Sequence, residues 1–480
     1  MTSKRATVLA IDIGAESGRT MAVHFDGSAL HLQEVHRFPN YALTVNGVLQ
    51  WDILHLWREV QAGIERSKAH AAGPPASLAV DTWGVDFGLL DRDGNLIGNP
   101  VCYRDSRTEG MLDAVFQRVP KAEVFAQTGI QFMAINTLYQ MMSLVERGSP
   151  QLETAARFLT VPDLLNFWLS GVQVCEFSSA TTTQMLNPFT RSWAGELLDA
   201  LAIPLDLFPA VVQPGTRLGT FDDIPVIAPA CHDTGSAVAG VPAQTENFAY
   251  ISSGTWSLVG LEEAQPVVND AALAVNATNE GGVYGTFRLL KNVMGLWLLQ
   301  QCRSTWEQQG RSYTYPELVS LAEAAEALRF FVDPNDDRFL PPGDHTAHIQ
   351  AFCRQSGQAL PQSDADVARC VFESLALAYR DVLQELQTLT GRPLEVIHVV
   401  GGGSRNQLLN QLTADATGIP VLAGPSEATV IGNALVQLIS LGELANLEEG
   451  RQLVAGMGEM ERFEPKGQEA WHGVKMPAIQ

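Results

Sequence analysis

Residues 7–25 read TVLAIDIGAESGRTMAVHF. Thr7 to Ile13 is a run of apolar and β-branched residues with one acid, Asp12, next to its end. Such a run, bounded by a glycine turn, is the mark of a buried strand. Gly14-Ala15-Glu16-Ser17-Gly18 is the turn, and Arg19 to Phe25 alternates as the return strand of a hairpin. Small residues in the turn let backbone N–H groups approach an anion without Cβ interference. An aspartate at the strand end can hold Mg²⁺ through the ion's waters, and Arg19 can reach a phosphate oxygen. Taken alone, the same residues fit an ordinary β-hairpin equally well.

The pattern returns in the second half of the chain. Phe248–Ser252 is a strand, Ser253-Gly254-Thr255 a small-residue turn, and Trp256–Leu261 a return strand. Two hairpins of one kind suggest an internal duplication. Two phosphate-type turns, one per half, would clamp a nucleoside triphosphate. The linker-like stretch GVPAQTEN at 240–247 places the boundary between a domain of residues 1–243 and one of residues 244–480.

Around these hairpins the chain alternates strands and helices, an α/β pattern. Ile53–Ser67 has helical apolar spacing, with Asp52 as its N-cap. Leu78–Asp81 is a strand leading into Trp83-Gly84-Val85-Asp86-Phe87-Gly88, and helices dominate from about residue 108 to 201. The strand at 226–229 runs into Cys231-His232-Asp233-Thr234-Gly235-Ser236-Ala237. A helix is expected over Leu289–Gln309 and a longer one over Ala368–Leu389. Strand Val396–Val400 ends in Gly401-Gly402-Gly403-Ser404, a helix begins near Asn406, and Val421–Ala423 is a further strand.

Three glycines between a strand and a helix cost backbone entropy, which argues for close approach of a purine or ribose to bare backbone. Neither GxGxxG nor GxxxxGK[ST] occurs. Asp233 at a strand end can take the proton of a substrate hydroxyl as it attacks phosphorus, help typically worth about 10²–10⁴ in rate. In isolation Asp233 reads more readily as the N-cap of a helix through Ser236 and Ala237. Tyr103-Arg104-Asp105-Ser106-Arg107 and Trp83–Asp86 suit a polyol, or a strand edge with surface ion pairs.

The net charge is −22, from 31 Lys and Arg against 53 Asp and Glu. That balance repels nucleic-acid phosphates and anionic lipid. No run of ~18 uncharged apolar residues predicts a membrane span, and the N-terminus reads as a first strand, not a signal peptide. The six cysteines form no CxxC, which points to reduced thiols in a cytoplasm. Cys353 and Cys370 flank a helix start and are near enough in sequence for a disulfide to be the minor alternative. The histidines form no zinc-ligand set.

Seven stretches occur in one order: AIDIGAESGRT, DTWGVDFGLLD, YRDSRT, CHDTGSAV, ISSGTWSLVG, LLKNVMGLWLLQ and VVGGGSRNQLLNQLTADATGIPV. Together they resemble the FGGY carbohydrate kinases, of the sugar kinase, actin and heat-shock chaperone superfamily. DTWGVDF, CYRDSRT, GIQFMAINTLYQ, NEGG, LLKNVMGLWLLQ and DPNDDRF are closest to the rhamnulokinase group. The resemblance implies two ribonuclease-H-like α/β domains with a catalytic cleft, and transfer of the ATP γ-phosphoryl to the 1-hydroxyl of L-rhamnulose. It implies Asp233 as catalytic base, with Gly84, His232, Asp233 and Thr234 on the sugar. It implies Ala15, Glu16, Ser17, Gly18, Arg19, Thr255, Asn292, Gln300 and Gly402 on ATP, and Asp12 on Mg²⁺. Asn292 and Gln300, eight apart on the helix expected there, would lie about 80° apart around its axis. The resemblance also implies a possible homodimer. The competing readings are a kinase of another ketose or polyol, such as L-fuculose or L-xylulose, and a non-catalytic ATP-binding switch. The second needs no carboxylate at the place of Asp233.

Overall fold

The computed structural model describes residues 5–70, 74–458 and 460–479. Its contacts divide the chain into two compact units. The first holds residues 1–244, 262–289 and 428–458, and the second residues 245–261, 290–427 and 459–480.

The first unit is built on a six-stranded sheet. Its order is Arg217–Phe221, Ile224–Ile227, Ser77–Thr82, Ala6–Ile13, Ser17–Phe25 and Leu30–Pro39. The opening hairpin forms with Asp12 opposite Arg19 and Ile13 opposite Gly18. Ala6–Ile13 and Ser77–Thr82 run parallel, placing Asp12 beside Asp81. Both strands are almost wholly buried, and Asp12, Ser77, Asp81 and Thr82 are buried with their apolar residues. Helix Ala428–Leu441 packs Val430, Ile431, Ala434, Leu435 and Leu438 into the core of Val8, Ala10, Met21 and Val23. The expected helix at 53–67 runs from Ile53 to His70, and the Asp52 carboxylate accepts from His55 N–H at 3.0 Å.

In the second unit Phe248–Ser253 pairs antiparallel with Trp256–Glu263 and parallel with Val396–Val400. Val396–Val400 pairs parallel with Val421–Ala423, which pairs antiparallel with Glu461–Phe463. The first unit has the same succession: hairpin, parallel strand, parallel strand, antiparallel edge. The repeat suggested by the two hairpins thus extends to the order of strand pairing, although the edge strand precedes its partner in the first unit and follows it in the second. Helix Asp364–Thr390 contains the expected Ala368–Leu389, opened by a Ser363–Asp366 capping box and closed at Gly391, φ 66°.

One expectation fails. Leu289–Gln309 is not a single helix: Phe287–Met294 is a strand, and the helix runs only from Trp297 to Gln308. Helical spacing and a half-buried strand look alike over a short apolar run. Gly295 separates the two, at a point where a Cβ would stand 2.7 Å from the Trp256 carbonyl carbon. Asn292 and Gln300 are thus on a strand and on a helix, not on two faces of one helix.

All six cysteines are buried free thiols. Cys353 and Cys370 are among them, so the disulfide held as the minor alternative is not formed. Among the described residues no helix is long and apolar enough to cross a membrane.

Candidate active site

Asp233 is the first residue of helix Asp233–Ala239, and His232, not Asp233, stands at its cap. The Asp233 carboxylate accepts from the Thr234 N–H at 2.5 Å and the Thr234 hydroxyl at 3.1 Å. Its side chain is 29% exposed, enough for a substrate to reach it. Burial pushes the carboxyl above its ordinary range, and the Asp12 charge adds to this. A carboxyl so raised is a better proton acceptor than an exposed aspartate.

The segment before Asp233 is held by a buried polar network. Glu176 accepts from the N–H groups of Ser178, Ser179 and Cys231, and from the Ser178 hydroxyl. Ser178 Oγ accepts in turn from His232 N–H at 3.1 Å. Beneath it, Asp163 lies 2.5 Å from Thr160 Oγ1 and accepts from Glu176 N–H. Burial pushes the Asp163 carboxyl up to about 8, the Thr160 hydrogen bond opposing and the Glu176 charge adding. Its folded pKa exceeds the unfolded value of about 3.9. The stability it contributes is therefore complete below that value and lost as pH rises through about 8. Relative to Asp163→Asn, the wild type is expected to lose thermal stability as pH rises from about 5 to about 8, then to level off. Paired melting curves across that range check this; parallel curves would show that Asp163 is ionised in the fold.

Gly84 lies against His232: a Cβ there would stand 3.3 Å from Nε2 and 3.1 Å from Thr182 Oγ1. The next residue, Val85, has φ 66°, a strained conformation for a β-branched side chain. Such strain costs about 1–3 kcal/mol and needs neighbours that enforce it. They are present: Thr137 Oγ1 and Gln140 Nε2 donate to its carbonyl, and its N–H donates to Thr182 Oγ1. Asp86 then accepts from Trp51 Nε1 at 2.6 Å, Trp83 Nε1 at 3.0 Å, Tyr103 N–H at 3.2 Å and Gln140 Nε2 at 3.0 Å. Burial raises its carboxyl to about 6 against those bonds. Trp83, Asp86 and Tyr103 thus form a buried hub with Trp51, whose ring is 4.4 Å from that of Trp83. They are not a surface edge.

On the neighbouring strands Arg19 donates twice to Asp12 Oδ2, at 3.1 and 2.8 Å. Glu16 and Ser17 are exposed and Ala15 is half-buried. Gly18 has a packing reason of its own, since a Cβ there would enter the Phe38 ring at 2.3 Å. Asp81 is a residue the sequence did not single out. It is fully buried, accepts from Asn433 Nδ2 at 2.5 Å, and has an Oδ1 with no protein donor. Burial raises its carboxyl well above the ordinary range, and the charges of Asp12 and Asp233 add to this. The charge of Asp12 bears on both raised carboxyls, Asp81 and Asp233, and three acids so placed suit a nearby cation. Among the described residues no set of three or more ligands holds a metal alone. Mg²⁺ keeps several waters and shares phosphates with one or two carboxylates, and the donor chemistry of Asp12 and Asp81 fits that pattern.

In the second unit the turn Ser253–Thr255 ties two elements together. The Thr255 carbonyl accepts from the N–H groups of Gly295 and Trp297, at the start of the helix that carries Gln300. Gln300 Oε1 is a buried acceptor with no protein donor. On the other side a Cβ on Gly403 would lie 2.0 Å from Ser253 Oγ, and one on Gly401, φ 81°, 3.0 Å from the Ser253 carbonyl. Gly402 is exposed with nothing within 4 Å of its Cβ position. Two of the three glycines thus answer to packing, and only Gly402 offers open backbone.

Residues 7–228 match the family model of the N-terminal domain, and residues 249–441 that of the C-terminal domain, of the FGGY family of carbohydrate kinases. The chain belongs to this family. It is 46% identical to a rhamnulokinase of Bacteroides thetaiotaomicron, over 96% of each chain. It is 41% identical to one of Oceanobacillus iheyensis, over 93% of this chain and 96% of that one. Among solved structures, a gluconate kinase from Lactobacillus acidophilus has TM-score 0.81 at 18% identity, covering 97% of this chain and 95% of its own. A ligand-bound xylulose kinase from the same organism has TM-score 0.79 at 18% identity, with the same coverage. At that identity the likeness is one of fold, the two-domain α/β fold of FGGY sugar kinases.

Proposed function

We propose that this FGGY kinase phosphorylates L-rhamnulose, transferring the γ-phosphoryl group of ATP to the sugar 1-hydroxyl. The observation that carries the chemistry is the half-buried Asp233 carboxylate, raised in pKa, at the start of a short helix. Identity above 40% to rhamnulokinases along nearly the whole chain supports the choice of sugar. Asp233 accepts the hydroxyl proton, the sugar oxygen bonds to Pγ, and the bond from Pγ to the bridging oxygen breaks with its electrons leaving on ADP. Gly84, His232 and Thr234 hold the sugar. Ala15 through Arg19, Thr255, Asn292, Gln300 and Gly402 hold ATP. Asp12, paired with Asp81 across adjacent strands, would hold Mg²⁺ with Asp81 nearby, and the ion would supply neutralisation of phosphate charge. In this reading residues 1–243 bind the sugar and carry the base, and residues 244–480 bind the nucleotide. The protein works in the cytoplasm.

The test is sugar-dependent ADP release with Mg-ATP across L-rhamnulose, L-fuculose, L-xylulose, D-xylulose, D-fructose and glycerol. L-Rhamnulose is expected to give by far the highest kcat/KM. A higher value for another sugar would move the substrate and leave the chemistry. Bound ATP with no turnover on any sugar would favour a non-catalytic switch.

A further inference from the structure

Two buried residues with no part in the reading above close on the ring of His232. Glu280 lies on strand Thr278–Gly281 and Arg288 on Phe287–Met294, both in the first unit. Arg288 is 0% exposed and Glu280 4%. Arginine only donates, so its neighbours reveal where lone pairs lie. Arg288 Nε donates to the Gly281 carbonyl at 3.0 Å, and Nη2 donates to His232 Nδ1 at 3.0 Å. Glu280 Oε2 stands 3.0 Å from the same Nη2 and 3.2 Å from Nδ1, at ion-pair distance without hydrogen-bond alignment. A proton on Nδ1 would point into the Nη2–H group. With a lone pair there, the ring proton sits on Nε2, which lies 3.4 Å from Asp233 Oδ1 and against Gly84.

We infer that Arg288 and Glu280 are positioning residues for the transfer: Arg288 holds the His232 ring with its lone pair on Nδ1 and its proton on Nε2, facing the base and the sugar, and Glu280 balances the guanidinium charge. The inference rests on the reading of Asp233 as the base. A buried ion pair is a poor source of stability, because desolvating both charges costs about what their attraction returns. Its value here is orientation. A ring locked with a donor at Nε2 steadies the Asp233 carboxylate and offers a sugar oxygen a hydrogen bond. The same ring with its proton on Nδ1 would present a lone pair to a carboxylate and repel it. Against the upward push of burial, the Arg288 guanidinium keeps the Glu280 carboxyl below its ordinary range, so it stays charged beside it.

The tautomer can be read on the full chain without substrates, from long-range ¹H–¹⁵N spectra of histidine-labelled protein at neutral pH. The His232 signals are assigned by their loss in His232→Gln. The expected wild-type ring is protonated on Nε2 alone. Arg288→Met should move the proton to Nδ1, facing Glu280, and lower sugar kcat/KM by about 10²-fold, as a misplacement of ~1 Å does. The KM for ATP should hold. Arg288→Lys keeps a donor and should keep the Nε2 tautomer and most of the sugar activity. A wild-type ring protonated on Nδ1 or on both nitrogens overturns the inference, as does an unchanged tautomer in Arg288→Met. Should Arg288→Met not fold, the wild-type and Arg288→Lys spectra decide. The free-protein tautomer is independent of turnover, so an Nε2 proton in a protein that phosphorylates no sugar would refute the kinase reading and leave this contact standing.

Discussion

Asp233→Asn is expected to lower sugar phosphorylation by about 10²–10⁴-fold while ATP still binds. The substitution keeps shape and keeps an oxygen for the Thr234 N–H and hydroxyl, so the helix start survives. What disappears is a group able to take the proton. In the wild type that group must be ionised to work, and its carboxyl is raised by burial, with Asp12 adding. Activity should therefore fall as pH drops through a value above the ordinary aspartate range of about 3.9. The residual activity of Asp233→Asn should lack that acid limb. Steady-state rates against pH, with ATP affinity from titration calorimetry, check both parts. Near-wild-type turnover in the variant would mean that another group takes the proton.

Gly432→Ala is expected to damage both stability and catalysis. Gly432 lies on helix Ala428–Leu441, which packs on helix Asp233–Ala239 of the same unit. A Cβ there would stand 1.8 Å from the Ser236 carbonyl oxygen and 2.8 Å from Gly240 N. Gly240 repeats the demand from the other side, with a Cβ 2.3 Å from the Ala428 carbonyl oxygen. Both neighbours are backbone, so a methyl group fits only if the helices move apart. Overpacking of this kind costs about 1–3 kcal/mol, with a backbone clash at the upper end, and Tm should fall by roughly 5–10 °C. The helix that moves carries Asp233, and the residue after Gly432 donates to Asp81. Loss of kcat should therefore exceed what partial unfolding explains at the assay temperature. Unchanged Tm and kcat would show that the helices have room the geometry denies.

Much of this protein could be read from local signals. The buried strand ending at Asp12, its echo at Phe248–Ser253, the triple glycine and the motif order were enough to name the family and the two-domain α/β fold. Each rests on short-range physics: a run of β-branched residues, a turn of small residues, a carboxylate at a strand end. The triple glycine was legible as a place of close approach. Two of its three residues answer to Ser253, a residue far off in the sequence, so their purpose was not legible.

What local signals could not supply depends on partners distant in the chain. Phe287–Met294 reads as helix because its apolar residues fit either period, and a place in the sheet makes it a strand. Asp81 reads as one acid at a strand end until Asn433, 352 residues on, is found donating to it. Glu176 looks like a helix-starting acid, and it does cap Phe177–Thr182, but it also holds the Cys231 N–H just ahead of the base. Arg288 sits in an apolar strand where no periodicity marks it for function. Its role exists only because folding brings it to His232, 56 residues away. Residue type and local pattern settle which elements form and which chemistry is available, because those preferences act within a few residues. Which carboxylate is raised, which imidazole nitrogen keeps its proton and which glycine is open to a ligand follow from desolvation and contact, and these are properties of the packed chain alone.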